Sequence, residues 1–183
     1  MPLPKRIKKD HYYNYKEYYS WGEGYFCELI DGKVIERIPE WMQHQKAVNT
    51  LMVALPRGFY YRIDVRLYPK DDESDGTVVN PDFTWVTDKK YFGDGRAFLG
   101  VPEVLIEILS PFTQELDRYT KLNLYLEAGV REYWLVDPES QAIQVFERTE
   151  KGYTPQAYEI SDTLRSPTFP GLEITLSDIF PNE

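Results

Sequence analysis

Three charged residues occupy positions where the sequence pattern calls for apolar side chains. Asp82 lies in a strand-like run at residues 77–86, and Glu107 interrupts the apolar run VLIEIL at residues 104–109. Lys121 follows on a predicted helix. An ionised carboxylate inside a sheet is costly unless a cation compensates its charge. Two such carboxylates and a lysine are the groups that a divalent-metal site needs to hydrolyse phosphodiesters.

The carboxylates suit a particular class of metal. Mg²⁺ and Mn²⁺ prefer oxygen ligands, and Mg²⁺ commonly takes only one or two carboxylates from a protein. Asp82 and Glu107 would hold the ion, and Lys121 would set a positive charge against a phosphate. The alternative is a buried structural ion pair between Glu107 and Lys121 or an arginine, with Asp82 an ordinary residue at the start of a strand. The spacing of these residues leaves both interpretations open.

Secondary candidates come from two other parts of the chain. Glu28 precedes an Asp31-Gly32 turn and lies either near the site or on the surface of a strand. His44 and Gln45 stand at the start of a predicted helix, where they would contact metal-bound water or phosphate. A histidine at such a place is more often a cap or a surface residue.

The elements that must position these residues follow from apolar periodicity, turn signals and prolines. Helices are predicted at residues 15–21, at 39–55 and from 113 or 117 to 128. Strands are predicted at residues 25–30, 33–38, 60–68, 77–86, 104–109, 131–136 and 142–148. This order predicts a mixed central β-sheet flanked by helices, which is an α/β or α+β fold.

The length of 183 residues predicts a single domain over residues 1–183. We expect residues 1–14 to form a flexible or irregular N-terminal arm and residues 150–183 to form an irregular C-terminal wrap. The lone Cys27 excludes an intramolecular disulfide and a cysteine-based zinc site, and it suits a reducing compartment. No apolar run approaches a membrane span, and no secretory signal is recognisable, so we expect a soluble cytoplasmic protein.

The net charge of −9 bears on the choice of partner. An acidic surface repels the phosphate backbone and weakens non-specific nucleic-acid binding. Part of this charge lies in an acidic run at residues 71–75, and part belongs to the predicted site, where a bound cation would neutralise it. The charge therefore argues against a tight, non-specific coat on DNA without excluding a nuclease.

Several motifs occur in an order that resembles one protein family. They are ELIDGKV at residues 28–34, His44-Gln45, VNPD at 79–82, PEVLIEILSP at 102–111, the helix at 117–125, GVREYWLVDP at 129–138 and FPGLEITLSDIF at 169–180. From about residue 15 to 180 the chain looks like the Uma-two family of restriction-endonuclease-like proteins, within the PD-(D/E)XK nuclease superfamily.

The resemblance implies a restriction-endonuclease-like core and an endonuclease that cuts DNA with Mg²⁺ or Mn²⁺. It implies that Asp82 and Glu107 are metal ligands and that DNA is the partner. It also implies a homodimer as one possible oligomeric state. The superfamily lysine usually follows the acid by two residues, where this chain has Leu109. In the Uma-two family it is displaced to the next helix, which gives Lys121 here. Leu109 and the overall acidity favour the alternative, a catalytically inactive nuclease fold acting as a binding or assembly module.

Overall fold

A computed structural model describes residues 7–8, 10–22, 27–36, 42–88, 92 and 95–181 of the chain. The chain divides into two compact units. The first comprises Met1–Pro39, Ile63–Asn80 and Asp88–Val101, and the second comprises Glu40–Arg62, Pro81–Thr87 and Pro102–Glu183. The expectation of one domain over residues 1–183 stays a prediction. Among the described helices, none has the length and apolar character needed to cross a membrane.

The described elements are a few helices separated by groups of mostly short strands. The helices are α1 (Tyr15–Ser20), α2 (Met42–Ala54), α3 (Leu122–Ala128) and α4 (Leu176–Ile179), and a π-helical turn, Leu116–Lys121, precedes α3. The strands are β1 (Cys27–Ile30), β2 (Lys33–Glu36), β3 (Phe59–Tyr61), β4 (Val65–Arg66), β5 (Val78–Val79), β6 (Phe83–Trp85), β7 (Phe98–Leu99), β8 (Val104–Ile108), β9 (Glu132–Asp137), β10 (Ala142–Thr149), β11 (Gly152–Tyr158), β12 (Thr163–Arg165) and β13 (Glu173–Thr175). These mixed sheets flanked by helices confirm the predicted fold class.

The first unit contains α1 and a sheet of order β2-β1-β5-β4-β7. Strands β1 and β2 form the predicted hairpin, and Asp31 and Gly32 turn it at φ values of 50° and 76°. A Cβ on Gly32 would lie 3.0 Å from the carbonyl oxygen of Tyr13, so this position requires glycine. Residues 11–14 of the predicted arm are irregular, although the Tyr13 N–H donates to the Gly32 carbonyl at 2.7 Å.

Some sequence predictions fall on residues that the structure does not describe. They are residues 1–6 and 9 of the predicted arm, the outer ends of the hairpin at 25–26 and 37–38, and the predicted helix start at 39–41.

The second unit contains a six-stranded sheet of order β11-β10-β9-β8-β6-β3. Strands β8 and β9 are parallel, and the other neighbours are antiparallel. Helix α2 covers the face of β8 that carries Val104, Ile106 and Ile108, and its own buried residues include Val48 and Leu51. Because α2 presents apolar residues at helical spacing and β8 at alternate positions, the two elements bury each other's apolar faces.

Two of the predicted strands are wrong in one respect, because each is divided between two sheets. Residues 60–68 form β3 and β4, and residues 77–86 form β5 and β6. The first run breaks at Arg62, whose φ of 49° is not extended. The second breaks at Pro81, which has no N–H for a ladder hydrogen bond. Asp82 therefore lies in a bend directly before β6, and not inside a strand.

The prediction of an irregular segment at residues 150–183 is also wrong. Strand β11 extends the six-stranded sheet, β12 pairs with β13, and α4 follows. Leu164, Ile174, Leu176 and Ile179 join the core of the second unit. Burial of these side chains stabilises short elements whose local sequence signal is weak, because prolines interrupt it.

Helix α2 supplies a test of this core. Leu51→Ala should lower the free energy of unfolding by about 2–5 kcal/mol, since the removed atoms leave a cavity against the sheet. Val53, on the same helix, is 88% exposed, so Val53→Ala should change stability by less than about 0.5 kcal/mol. Urea unfolding followed by circular dichroism measures both. Equal losses in the two variants would contradict the described packing.

Candidate active site

The register between β6 and β8 brings the segments that carry the two predicted acids side by side. Phe83 pairs with Ile106, and one further step of this antiparallel register would set Asp82 opposite Glu107. Both residues are buried, with 1% and 2% of their surface exposed. Asp82 Oδ2 accepts the backbone N–H of Ile108 at 2.9 Å. The Asp82 carboxylate thus accepts a hydrogen bond from the main chain of β8 just before β6 begins.

Asp82 has different partners at its two carboxylate oxygens. Oδ2 lies 3.0 Å from Nε2 of His44, which projects from α2. Because an ionised carboxylate only accepts hydrogen bonds, His44 Nε2 carries the proton. Oδ1 lies 3.3 Å from Nη2 and 3.4 Å from Nε of Arg62. The Arg62 backbone N–H also donates to the Asp82 carbonyl at 3.1 Å, so side chain and backbone of Arg62 both contact Asp82.

Glu107 faces the segment that follows β8. Its Oε1 accepts hydrogen bonds from Lys121 Nζ at 2.8 Å and from the Tyr125 hydroxyl at 3.1 Å. Lys121 Nζ also lies 3.4 Å from Asp117 Oδ1, and all three charged side chains are buried. One lysine therefore compensates two carboxylates in a site from which bulk water is largely excluded.

The π-helical turn and α3 place these partners over the sheet. Asp117, Lys121 and Tyr125 succeed one another at intervals of four residues, and the structure turns them to one side. Single π-helical turns are often found at functional sites. Helix α3 ends as predicted at Gly129, whose φ of 94° suits a left-handed C-cap.

Tyr133 of β9 lies beneath this turn. Its hydroxyl donates to the Asp117 carbonyl at 3.1 Å, and its ring meets that of Tyr125 edge-on, with centroids 4.9 Å apart. Burial, followed by the charges of Asp117 and Glu107, raises the pKa of Tyr133 well above its ordinary value. Tyr133 therefore remains a protonated donor that fixes the backbone of the turn.

The structure places the predicted site residues in three settings. Glu107 contacts Lys121, and Asp82 lies opposite Glu107 and contacts His44. Gln45 is exposed on α2. Glu28 is buried in the first unit, where its Oε1 accepts the backbone N–H of Asn80 at 2.6 Å. The functional roles of all these residues stay predictions.

Sequence reasoning missed two contributors to the cluster. Nothing in the local sequence pattern of Arg62 points to Asp82. The position of Tyr125, four residues after Lys121, is a usable signal for a shared helix face. Its hydroxyl contact with Glu107 adds a polar role to that packing.

Glu132, at the start of β9, is a further buried acid that the sequence pattern does not mark. It is fully buried. Its carboxylate accepts hydrogen bonds from Trp134 Nε1 at 2.6 Å, Ser166 Oγ at 2.9 Å and the Thr168 N–H at 2.9 Å. These donors satisfy the acid within the second unit and tie the C-terminal segment to the sheet.

A divalent ion fits the donor chemistry of the two opposed acids. Within the described residues, no group of three or more histidine, cysteine, aspartate or glutamate side chains is arranged to hold a metal. Mg²⁺ does not require such a group, because two carboxylates, water and substrate oxygens complete its shell. Asp82 and Glu107 would supply such a pair of oxygen donors, and each has a basic side chain beside it.

Comparisons with known proteins agree on one family and one fold. The family described as "Uma2: Putative restriction endonuclease" matches residues 15–177. A crystal structure from Anabaena variabilis ATCC 29413, described as "a putative nuclease belonging to DUF820", superposes with a TM-score of 0.69 at 17% identity. The match covers 91% of this chain and 97% of that one, which shows the fold. No curated protein matches the chain.

The buried cluster around Glu107 yields a stability prediction. Lys121→Met should cost about 3–5 kcal/mol, because it leaves Glu107 and Asp117 without their shared cation. Arg118→Met removes the same charge from a pair with Asp137 whose arginine side chain is 30% exposed, and should cost less than about 1 kcal/mol. Chemical denaturation at neutral pH compares the two variants. A loss for Lys121→Met no larger than that for Arg118→Met would refute the buried cluster.

Proposed function

This chain belongs to the Uma2 family, and from that premise we propose that it is a metal-dependent endonuclease that hydrolyses phosphodiester bonds in DNA. The observation that carries the proposal is the burial of two acids on neighbouring segments, Asp82 in the bend directly before β6 and Glu107 in β8. Lys121, in contact with Glu107, supplies the third group that the sequence pattern predicts. Buried ion pairs contribute less to the stability of a fold than apolar side chains of similar volume. The presence of these buried charges therefore favours a chemical role.

In the proposed site, Asp82 and Glu107 hold Mg²⁺ or Mn²⁺. A bound divalent ion of this kind polarises a phosphate and lowers the pKa of water. The Ile108 N–H and His44 Nε2 orient the Asp82 carboxylate through its Oδ2. The Tyr125 hydroxyl and Lys121 orient Glu107, and Lys121 keeps a positive charge where a phosphate would approach.

Partner and setting follow from charge and cysteine content. With a net charge of −9, affinity for DNA depends on cations at the site more than on a basic surface. A homodimer would supply two such sites, one for each strand of a duplex. The lone, buried Cys27 supports a reducing compartment such as the cytoplasm, since burial raises the pKa of its thiol to about 12 and keeps it unreactive.

A catalytically inactive binding or assembly module is the second candidate. The observation that favours it is the closed arrangement of charges, in which Lys121 already lies between Glu107 and Asp117. In that case the acids would be a structural ion cluster, and no ion would be required.

Substitution of the acids tests catalysis. Glu107→Gln should lower the rate of DNA cleavage in Mg²⁺ or Mn²⁺ roughly 100-fold or more, because it removes a charged ligand. Glu103→Gln is the matched control, since Glu103 directly precedes the same strand and its carboxylate contacts Thr87 at the exposed surface. That variant should cleave within about twofold of wild type. Unchanged cleavage by Glu107→Gln would exclude the proposed site.

Thermal melting separates the two candidate functions. Mg²⁺ or Mn²⁺ at about 100 times its dissociation constant should stabilise a metal-binding protein by about 2.7 kcal/mol. Asp82→Asn should abolish the resulting rise in melting temperature. A wild-type melting temperature that does not respond to either ion would favour the inactive module.

A further inference from the structure

We propose that Arg62 is the resident counter-ion of Asp82, and that a divalent ion binds this site by displacing the Arg62 guanidinium from Asp82 Oδ1. This inference rests on the proposed function and adds a residue that controls access of the ion to its ligand. Arg62 and the ion are then alternative partners of the same carboxylate oxygen.

The first argument is that the two carboxylate oxygens of Asp82 have different partners. Oδ2 is fixed by the Ile108 N–H and by His44 Nε2 at 2.9 and 3.0 Å. Oδ1 carries the longer contacts with the Arg62 side chain, at 3.3 and 3.4 Å. An incoming ion therefore meets a carboxylate whose orientation is already set through one oxygen. The positive charge of Arg62 at Oδ1 competes with the charge of the ion.

The second argument is the contrast with Lys121. The Lys121–Glu107 contact is 2.8 Å long, both side chains are 3% exposed, and Asp117 also holds the lysine. The Arg62 side chain is 21% exposed and its contact with Asp82 is longer. Breaking a buried pair costs several times more than breaking a pair that water reaches. Displacing Arg62 from Asp82 therefore costs less free energy than displacing Lys121 from Glu107.

The third argument is that Arg62 keeps favourable contacts when its guanidinium leaves Oδ1. Its guanidinium carbon lies 5.1 Å from the centroid of the Tyr61 ring, within the range of a cation–π contact. Its backbone N–H remains bonded to the Asp82 carbonyl at 3.1 Å. This bond helps to hold Arg62 at a φ of 49°, a region that side-chain-bearing residues seldom adopt. The loop can keep its place while the side chain moves.

Competition between Arg62 and the ion for Asp82 has opposite effects on the stability of the metal-free fold and on the affinity for the ion. Without metal, Arg62 compensates the buried Asp82 charge and stabilises the fold. With metal, the same contact must be broken, so it lowers the apparent affinity for the ion. Removing the guanidinium should therefore destabilise the metal-free protein and tighten metal binding. A purely structural arginine would produce the first effect alone.

Two substitutions of Arg62 test the exchange. Arg62→Gln removes the charge and keeps much of the side-chain length, and Arg62→Gly removes the side chain while suiting the left-handed backbone. Arg118→Gln is the matched control, because it deletes one positive charge from a partly exposed ion pair with Asp137. Asp82→Asn measures the Mn²⁺ binding that does not depend on the Asp82 carboxylate. Calorimetric titration with Mn²⁺, without nucleic acid, gives the dissociation constants.

We expect Mn²⁺ to bind Arg62→Gln and Arg62→Gly about 5- to 10-fold more tightly than wild type, and Arg118→Gln within about twofold of wild type. In EDTA both Arg62 variants should melt at a lower temperature than wild type. In saturating Mn²⁺ this difference should become smaller or vanish.

The outcomes separate this inference from the proposed function. Wild-type Mn²⁺ binding that Asp82→Asn removes, but that neither Arg62 variant tightens, would overturn the exchange and leave the proposed metal site intact. Equal tightening in Arg118→Gln would also overturn it, because the effect would then come from net charge alone. Absence of Asp82-dependent binding in every variant would overturn both proposals.

Discussion

Compensation of two buried carboxylates is the constraint on which the second unit depends. Asp82, directly before β6, and Glu107, in β8, are buried where neither can be hydrated as it would be in water. The protein meets this cost with two cations, Arg62 and Lys121, that come from different elements. The bend before β6, the π-helical turn and the position of α2 all serve to bring donors to these acids. Packing of the apolar core then fixes the elements around the charges.

Several helices and strands could be predicted from the sequence because each is marked by a short local pattern. The Asp31-Gly32 hairpin, the apolar face of α2 and the proline-bounded strand β8 each follow from a short pattern. The contact between Lys121 and Glu107 was anticipated because a lysine and a carboxylate at apolar positions need each other. A series of motifs indicated the family, and the match over residues 15–177 confirms that resemblance.

What the sequence did not reveal depends on contacts between distant segments. Arg62 and Asp82 are brought together by pairing of β3 with β6, and the break at Arg62 has no glycine to mark it. Glu132 looked like a solvated residue because its donors, Trp134, Ser166 and Thr168, include two that lie more than thirty residues later in the chain. Strands β12 and β13 have three residues each, and Pro167 and Pro170 lie between them, so burial rather than propensity decides their conformation.

The parallel pairing of β8 with β9 has a consequence for how such a protein can diverge. Parallel neighbours must be joined by a crossover, and here the crossover is the segment that delivers Lys121. A basic group carried on the connection, and not on the strand, is positioned by the contacts of that connection with the sheet, such as the hydrogen bond from the Tyr133 hydroxyl to the Asp117 carbonyl. Its reach can be adjusted through the length of the loop after β8 while the sheet register stays intact. A basic side chain can thus be carried by the connection after β8, and not by the strand itself, without a change in the sheet register.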